Sequence, residues 1–557
     1  MELCYQRFVK ETFDQNGRLA TFDFDVDENY NFGYDVVDYL AEKCPDKTAM
    51  IYLNADKSVE RRFTFGDMKK YSDMTANYFR SLGIKKGDSV MLILKRHYQF
   101  WFSIIALHKL GAVVVPATNQ LQKKDLTYRF NKAYIKAVVV TADGDIADHC
   151  DEAIAECPQV RIKVIVNGKK EGWSSFDEEL PKHDYEFVRP VGEDAPKRDE
   201  EMLMYFTSGT TGYPKLAVHA HTYSLGHIVT ARHWHNVDPD GVHFTISETG
   251  WGKSVWGKLY GQWLCETAVM VYDFDKFDAN EILPLFKKYN ITTFCAPTTM
   301  YRFFIKEDLS KYDLSSLKYA NVAGEAMNPE VFKQFYEATG LKIMEGFGQT
   351  ETTLTIANLV SDEPKPGSMG KPNPQYDVVI CNAEGDECSV GEVGEICIRV
   401  DKKVPYGLFM GYLEDDFTLD RRIEDGIYRT GDTAWVDEDG YFWFNGRSDD
   451  LIKSSGYRIS PFEIESVIME LPYVLECAVT AIPDEVRGQL VKATIVLVKD
   501  KDGNDELKKE IQNYVKKVTA PYKYPRVVEF VENLPKTISG KIKRVDIRKK
   551  DNEKTDK

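Results

Sequence analysis

The stretch that decides the fold is YFTSGTTGYPK, residues 205–215, entered from the apolar run MLMYF (202–206) and left through LAVHA (216–220). Gly209 and Gly212 let the backbone turn and come close to an anion, Thr207, Ser208, Thr210 and Thr211 offer donors, and Lys215 brings a positive charge. That composition suits phosphate. Both flanks read as strands, so the loop joins two strands and does not feed a helix. It thereby departs from the Walker pattern, in which Gly-Lys is followed at once by Ser or Thr and a helix. Taken alone, such a loop is either an anion cradle or a solvated hairpin connection.

Further along, an apolar strand around Asn321 runs into GEAM. Asn328 then caps a helix that has Pro329 at its first position and Gly340 past its end, and KIMEGF follows as the next strand. This strand-helix-strand rhythm predicts a largely parallel sheet covered by helices. Residues 393–400 and 433–444 alternate as strands about an Asp-Glu-Asp-Gly turn at 437–440, a β-rich region. Past Arg447 a smaller α+β unit begins: Ser460, Pro461 and Glu463 form a capping box ahead of FEIESVIME. Strands CAVTAIP and KATIVLV, the helix ELKKEIQNYVKKV and the strand VVEFV complete it.

A chain of 557 residues exceeds what one core supports and predicts at least two domains. Hydrophobic residues make up 43%, but runs such as FSIIAL and GAVVVP are cut by His108, Lys109 and Pro116. None reaches the roughly 20 residues needed to span a bilayer. The start, MELCYQRFVKETFDQNG, lacks the apolar core of a signal peptide. Ten cysteines without CxxC pairs or Cys/His zinc spacing predict reduced thiols and a cytoplasmic setting. A formal net charge of -16 argues against a nucleic-acid partner.

Residues 207–215 are similar to the phosphate loop of the adenylate-forming (AMP-binding) superfamily. Four more blocks stand in that family's order: GEAMNPE at 324–330, EGFGQTET at 345–352, YRTGDTAWVDEDGYFWFNGRSDDLIKSSGYRISPFEIE at 428–465 and LPKTISGKIKR at 534–544. The branch most resembled is the medium-chain acyl-CoA synthetases. The resemblance implies an α/β fold. Residues 1–448 would form a large N-terminal domain of parallel-sheet α/β subdomains plus a β-rich subdomain, and 449–557 a small mobile α+β domain. It also implies the substrates ATP and coenzyme A together with Mg²⁺, and no integral membrane segment; a homodimer stays open.

In that family a carboxylate attacks ATP to give acyl-AMP and pyrophosphate, and a thiol then displaces AMP. The first step brings anions together, so positive charge and aligned donors are needed around the phosphates. By resemblance, residues 207–215 hold the β/γ end, Glu351 holds Mg²⁺ and Thr350 contacts the α-phosphate. Gly324, Glu325 and Ala326 turn against one face of adenine, and Glu345, Gly346 and Phe347 line the other side. Asp432 accepts the ribose hydroxyls with Arg447 as its basic companion. Lys541 is the catalytic lysine, carried by the small domain. Asp449 is the hinge, and residues 453–458, with Gly456 and Arg458, form the face used for thioester formation.

Substrate choice is expected in SETGWGKSVWGKLYG (247–261) and at Gly348, where acetate-specific relatives carry tryptophan. A glycine there predicts an open floor running toward Trp251 and Trp256, and acids of about four to eight carbons. Lys253 either points to solvent, which the cost of burying an ammonium favours, or caps a short pocket and reads a branched, aromatic or polar tail. His221 either approaches that pocket or is packed like His219. Three alternatives compete. A peptide-synthetase module would need a carrier domain, and the chain runs only to Lys557 after Lys541. An aryl-acid CoA ligase shares every motif above. A non-enzymatic acyl-AMP binding protein would be expected to lose Lys541, Glu351 or Asp432.

Overall fold

The computed structural model describes residues 2–207, 213–455, 457–484, 486–499, 501–536 and 542–555. Ser208, Gly209, Thr210, Thr211, Gly212, Gly456 and Lys541 lie outside the described residues, and so does the side chain of Arg458.

Two nine-stranded sheets dominate the front of the molecule. In the first, Ser89–Ile93, Val113–Pro116, Ile135–Thr141 and Ile162–Val166 run parallel, and Glu201–Phe206 adds to Val113–Pro116 in the same sense. Leu216–Ala220 then returns antiparallel. In the second, Ala268–Asp273, Val242–Thr245, Ile291–Ala296, Tyr319–Ala323 and Ile343–Gly348 are parallel neighbours, followed by antiparallel Leu354–Ala357. Strands such as SVMLI at Ser89–Ile93 are buried at every position. Parallel strands covered on both faces require such unbroken apolar runs.

The helix Pro329–Thr339 shows how local chemistry fixes an element. Asn328 accepts from Glu330 N at 2.8 Å, proline sits at the first position, and Gly340 ends the helix in the left-handed region at φ 71°. Its neighbours Tyr319–Ala323 and Ile343–Gly348 pair in register, Ala323 opposite Gly346. The polypeptide therefore leaves both strands at the same end of the sheet, the usual place for a ligand in an open α/β sheet.

Antiparallel strands follow between Asp377 and Arg447, with Asp437 accepting from the backbone of Asp439 and Tyr441 at the predicted turn. The last unit has its own core, built on Ile452, Ile459, Ile464, Val479, Ile495 and Ile511. It folds Val474–Asp484, Gly488–Leu497 and Val527–Phe530 into a three-stranded sheet. The capping box is only half made. Ser460 accepts from Glu463 N at 3.2 Å, but the Glu463 carboxylate turns to Lys523 at 2.7 and 2.8 Å, where it meets a full charge. All ten cysteines are free thiols. Among the described residues no helix is long and apolar enough to cross a membrane.

Candidate active site

The strand pair Glu201–Phe206 and Leu216–Ala220 closes with Phe206 opposite Leu216, and Thr207 N donates to Lys215 O at 2.8 Å. Leu216–Ala220 also pairs with Gly411–Leu413, which sets Ala217 opposite Tyr412. The Lys215 ammonium lies over the Tyr412 ring, 4.7 Å from its centroid. The Tyr412 hydroxyl donates to Glu351 Oε1. Burial and the Glu351 charge push that phenol far above its ordinary range, so it remains a donor. Lys215 and Glu351, 136 positions apart in the chain, are thus joined through one tyrosine.

At the turn expected to face the nucleotide, Gly324 has φ 94°, a conformation glycine adopts without strain. Thr298 Oγ1 donates to Glu325 O and Ala326 O at 3.3 and 3.1 Å, and Thr299 Oγ1 donates to Glu325 Oε2 at 3.0 Å. Met327 N donates to Glu345 Oε1 at 3.1 Å. Glu345 is otherwise desolvated, and its carboxyl is pushed up to about 8. Across the sheet end, Gln349 Nε2 bridges Asp432 Oδ2 at 2.5 Å and Thr430 O at 2.9 Å. Strand register puts Asp432 opposite Arg447, whose Nε reaches Asp449 at 3.1 Å. Thr350 is half-buried between Gln349 and Glu351, and Phe347 packs at the edge of the β-rich core.

The acyl side differs from expectation at two positions. A Cβ on Gly348 would lie 2.3 Å from Thr353 O and 2.5 Å from the Trp256 ring, so the floor is occupied by Trp256 and is not open. Trp256 is 7% exposed, and its Nε1 donates to Tyr223 OH at 3.1 Å. Lys253 points inward, not to solvent: its Nζ donates to Ala323 O at 2.8 Å, an acceptor at the strand end beside Gly324. Trp251 is half-buried just ahead of the same helix, Gly252–Lys258. His219 and His221 are fully buried, and desolvation holds them neutral at about 3 and about 4.

The structure therefore brings Lys215, Gly324, Glu325, Ala326, Glu345, Gly346, Phe347, Gly348, Thr350, Glu351, Asp432 and Arg447 to neighbouring strand ends and turns. Tyr412, Gln349, Thr298 and Thr299 hold these groups and were not singled out from the sequence. Gln349 lies inside a quoted block, but Tyr412 carries no local signal. Among the described residues no three His, Cys, Asp or Glu side chains gather as a metal cage.

Residues 37–413 match the AMP-binding enzyme family model, and residues 463–541 match the AMP-binding enzyme C-terminal domain. The chain belongs to the AMP-binding enzyme family. It is 40% identical over 540 residues to the mitochondrial acyl-coenzyme A synthetase ACSM3 of Mus musculus, covering 95% of this chain and 92% of that protein. Human mitochondrial acyl-coenzyme A synthetase ACSM4 is 39% identical over 533 residues, 94% of this chain and 90% of that one. Among solved structures, an anthranilate CoA ligase, AuaEII, in complex with anthranoyl-AMP superposes with a TM-score of 0.86 at 27% identity, covering 96% of this chain and 99% of that one.

Proposed function

We propose that this protein is an AMP-forming acid-CoA ligase: a carboxylic acid, ATP and coenzyme A give acyl-CoA, AMP and pyrophosphate through acyl-AMP. The observation that carries the reading is the Lys215–Tyr412–Glu351 chain beside the Gln349–Asp432 bridge. Phosphate-binding charge, a carboxylate for Mg²⁺ and a ribose acceptor then share one sheet end. The acid's carboxylate oxygen bonds to the α-phosphorus as pyrophosphate leaves. The CoA thiolate next bonds to the acyl carbon as AMP leaves. Lys541 neutralises charge in the first step, and the face at 453–458 receives pantetheine in the second. Mg²⁺ would supply charge neutralisation on the phosphates, held by Glu351.

The substrate class is a short- to medium-chain acid, and the filled space beside Gly348 together with the inward Lys253 supports its compact, branched end. An aryl acid is the second reading, favoured by the likeness to the anthranilate CoA ligase. Free thiols support a cytoplasmic setting. The test is ATP-dependent CoA-ester formation over acetate to decanoate with branched and aromatic acids, following AMP and pyrophosphate. Compact aliphatic acids should give the highest kcat/KM. ADP and phosphate as products would overturn the reaction type, and a benzoate or anthranilate optimum would overturn the substrate class.

A further inference from the structure

The segment that carries Lys541 leaves and re-enters the described residues at Lys536 and Ile542, which form a bridge, and Lys543 N donates to Pro535 O at 2.8 Å. Both sides of this stem are fixed by charge. Lys536 Nζ meets Glu476 at 2.5 Å on one side. On the other, Arg544 grips Glu465 with Nη2 at 2.8 and 2.7 Å and Nε at 3.2 Å. Glu465 also accepts from Val479 N at 2.7 Å, so the grip is seated on the sheet of the small unit. Such bidentate pairs fix direction as well as distance.

One further carboxylate joins this stem to the point where the small unit begins. Asp450 accepts from Arg548 Nη1 at 2.7 Å, and its other oxygen lies 3.8 Å from Arg544 Nη1. The Asp450 side chain is only 14% exposed, and its backbone N donates to Arg447 O at 3.1 Å. It is the residue directly after Asp449. Arg544 and Arg548 stand four apart, on the same face of the helix Arg544–Thr555. The helix is pinned a second time, by Asp551 to Lys492 at 2.5 Å.

We infer that Asp450 is a positioning residue for adenylation, a clamp that fixes the Lys541 stem to the chain next to the hinge so that rotation there is transmitted to the lysine. The inference rests on the proposed roles of Lys541 and Asp449. The thioester face takes a different route. It lies on the hairpin of Ile452–Ser454 and Tyr457–Ile459, whose Ile452 and Ile459 pair and are fully buried in the small core. Its placement does not pass through Arg548. Losing the clamp should therefore misplace the lysine and spare the second half-reaction.

The two half-reactions can be read separately, by ATP–pyrophosphate exchange with acid and by CoA-ester formation from supplied acyl-AMP. Asp450→Asn is expected to lower exchange by about 10²-fold, the effect of misplacing a reacting group by about 1 Å, with the supplied acyl-AMP reaction unchanged. Arg548→Gln removes the same pair from its more exposed partner and should show the same split if Asp450→Asn folds poorly. Asp450→Glu should restore exchange in part. A merely structural role lowers both half-reactions together, and that result, or no change in either, overturns the clamp. Lys541→Ala is the control. If it kept full exchange, the proposed role of Lys541 would fall and the clamp with it, while the acid-CoA ligase reading would stand. If it abolished exchange while both clamp variants kept it, the clamp alone would fall.

Discussion

At Gly348 the space against the backbone is already filled, which bears on the proposed path of the acyl tail. Trp256 and Thr353 O occupy the position a side chain would take, so Gly348→Trp has no room to retarget the enzyme toward acetate. It should instead lower Tm and all acyl-CoA formation. Trp256→Ala should shift the chain-length optimum upward, each additional buried methylene adding about 0.8 kcal/mol, at a stability cost of about 3–5 kcal/mol. An unchanged chain-length profile in a folded Trp256→Ala protein would show that the tail never meets this ring. Glu345 supplies a second test at single-residue level. Its carboxyl is raised by desolvation from 4.5 to about 8. Between those values the folded state binds more protons than the unfolded one, so this group's contribution to stability falls as pH rises. Glu345→Gln removes that fall. Its Tm gain should be larger at pH 8 than at pH 5, and equal shifts at the two pH values would refute the buried, proton-retaining carboxyl.

Elements set by neighbours in sequence were legible, and contacts set by distant strands were not. Asn328, Pro329 and Gly340 announce a helix because cap, first turn and left-handed exit are each local backbone chemistry, and all three are found. The strands flanking the phosphate loop were readable for the same reason, from apolar runs cut by glycine and proline. Helix Pro461–Ile468 marks the boundary of that approach. Its Ser460 half is local and forms, whereas Glu463 is drawn to Lys523, 60 positions away. Lys253 is a sharper case. Burial cost favoured solvent, but the carbonyl of Ala323 waits at the end of a strand 70 positions on, and only the assembled sheet reveals it. The family blocks marked Asp432 and Glu351, but Gln349 on the one follows from contact with the β-rich strands, and Tyr412 on the other from the register of Gly411–Leu413 against Leu216–Ala220.

The unit that follows Arg447 has a core of its own, and we propose that it alternates in orientation against the large sheets. The small unit's core, from Ile452 to Val528, is distinct from those of the large sheets. Contacts between the units include Asn328 Nδ2 to Ser466 O at 3.2 Å and Phe444 against Phe462 at 5.7 Å between ring centroids. Partly polar contacts of this kind are usual between domains that move relative to one another. Around the proposed hinge, Ser448 N donates to Gly431 O and Asp450 N to Arg447 O, each at 2.9 to 3.1 Å, while Asp449 receives Arg447 Nε through its side chain. A change in backbone dihedrals at 449 would thus carry the clamp, the lysine stem and the thioester face together. Asp449→Pro fixes φ near about −65° and steers Ser448 away from helical dihedrals, which hinders one of two orientations. Adenylation, measured by ATP–pyrophosphate exchange, should survive better than CoA-ester formation from supplied acyl-AMP. That is the opposite split from the one expected of Asp450→Asn, so a protein in which both half-reactions slow by one factor at unchanged Tm would remove position 449 as the hinge.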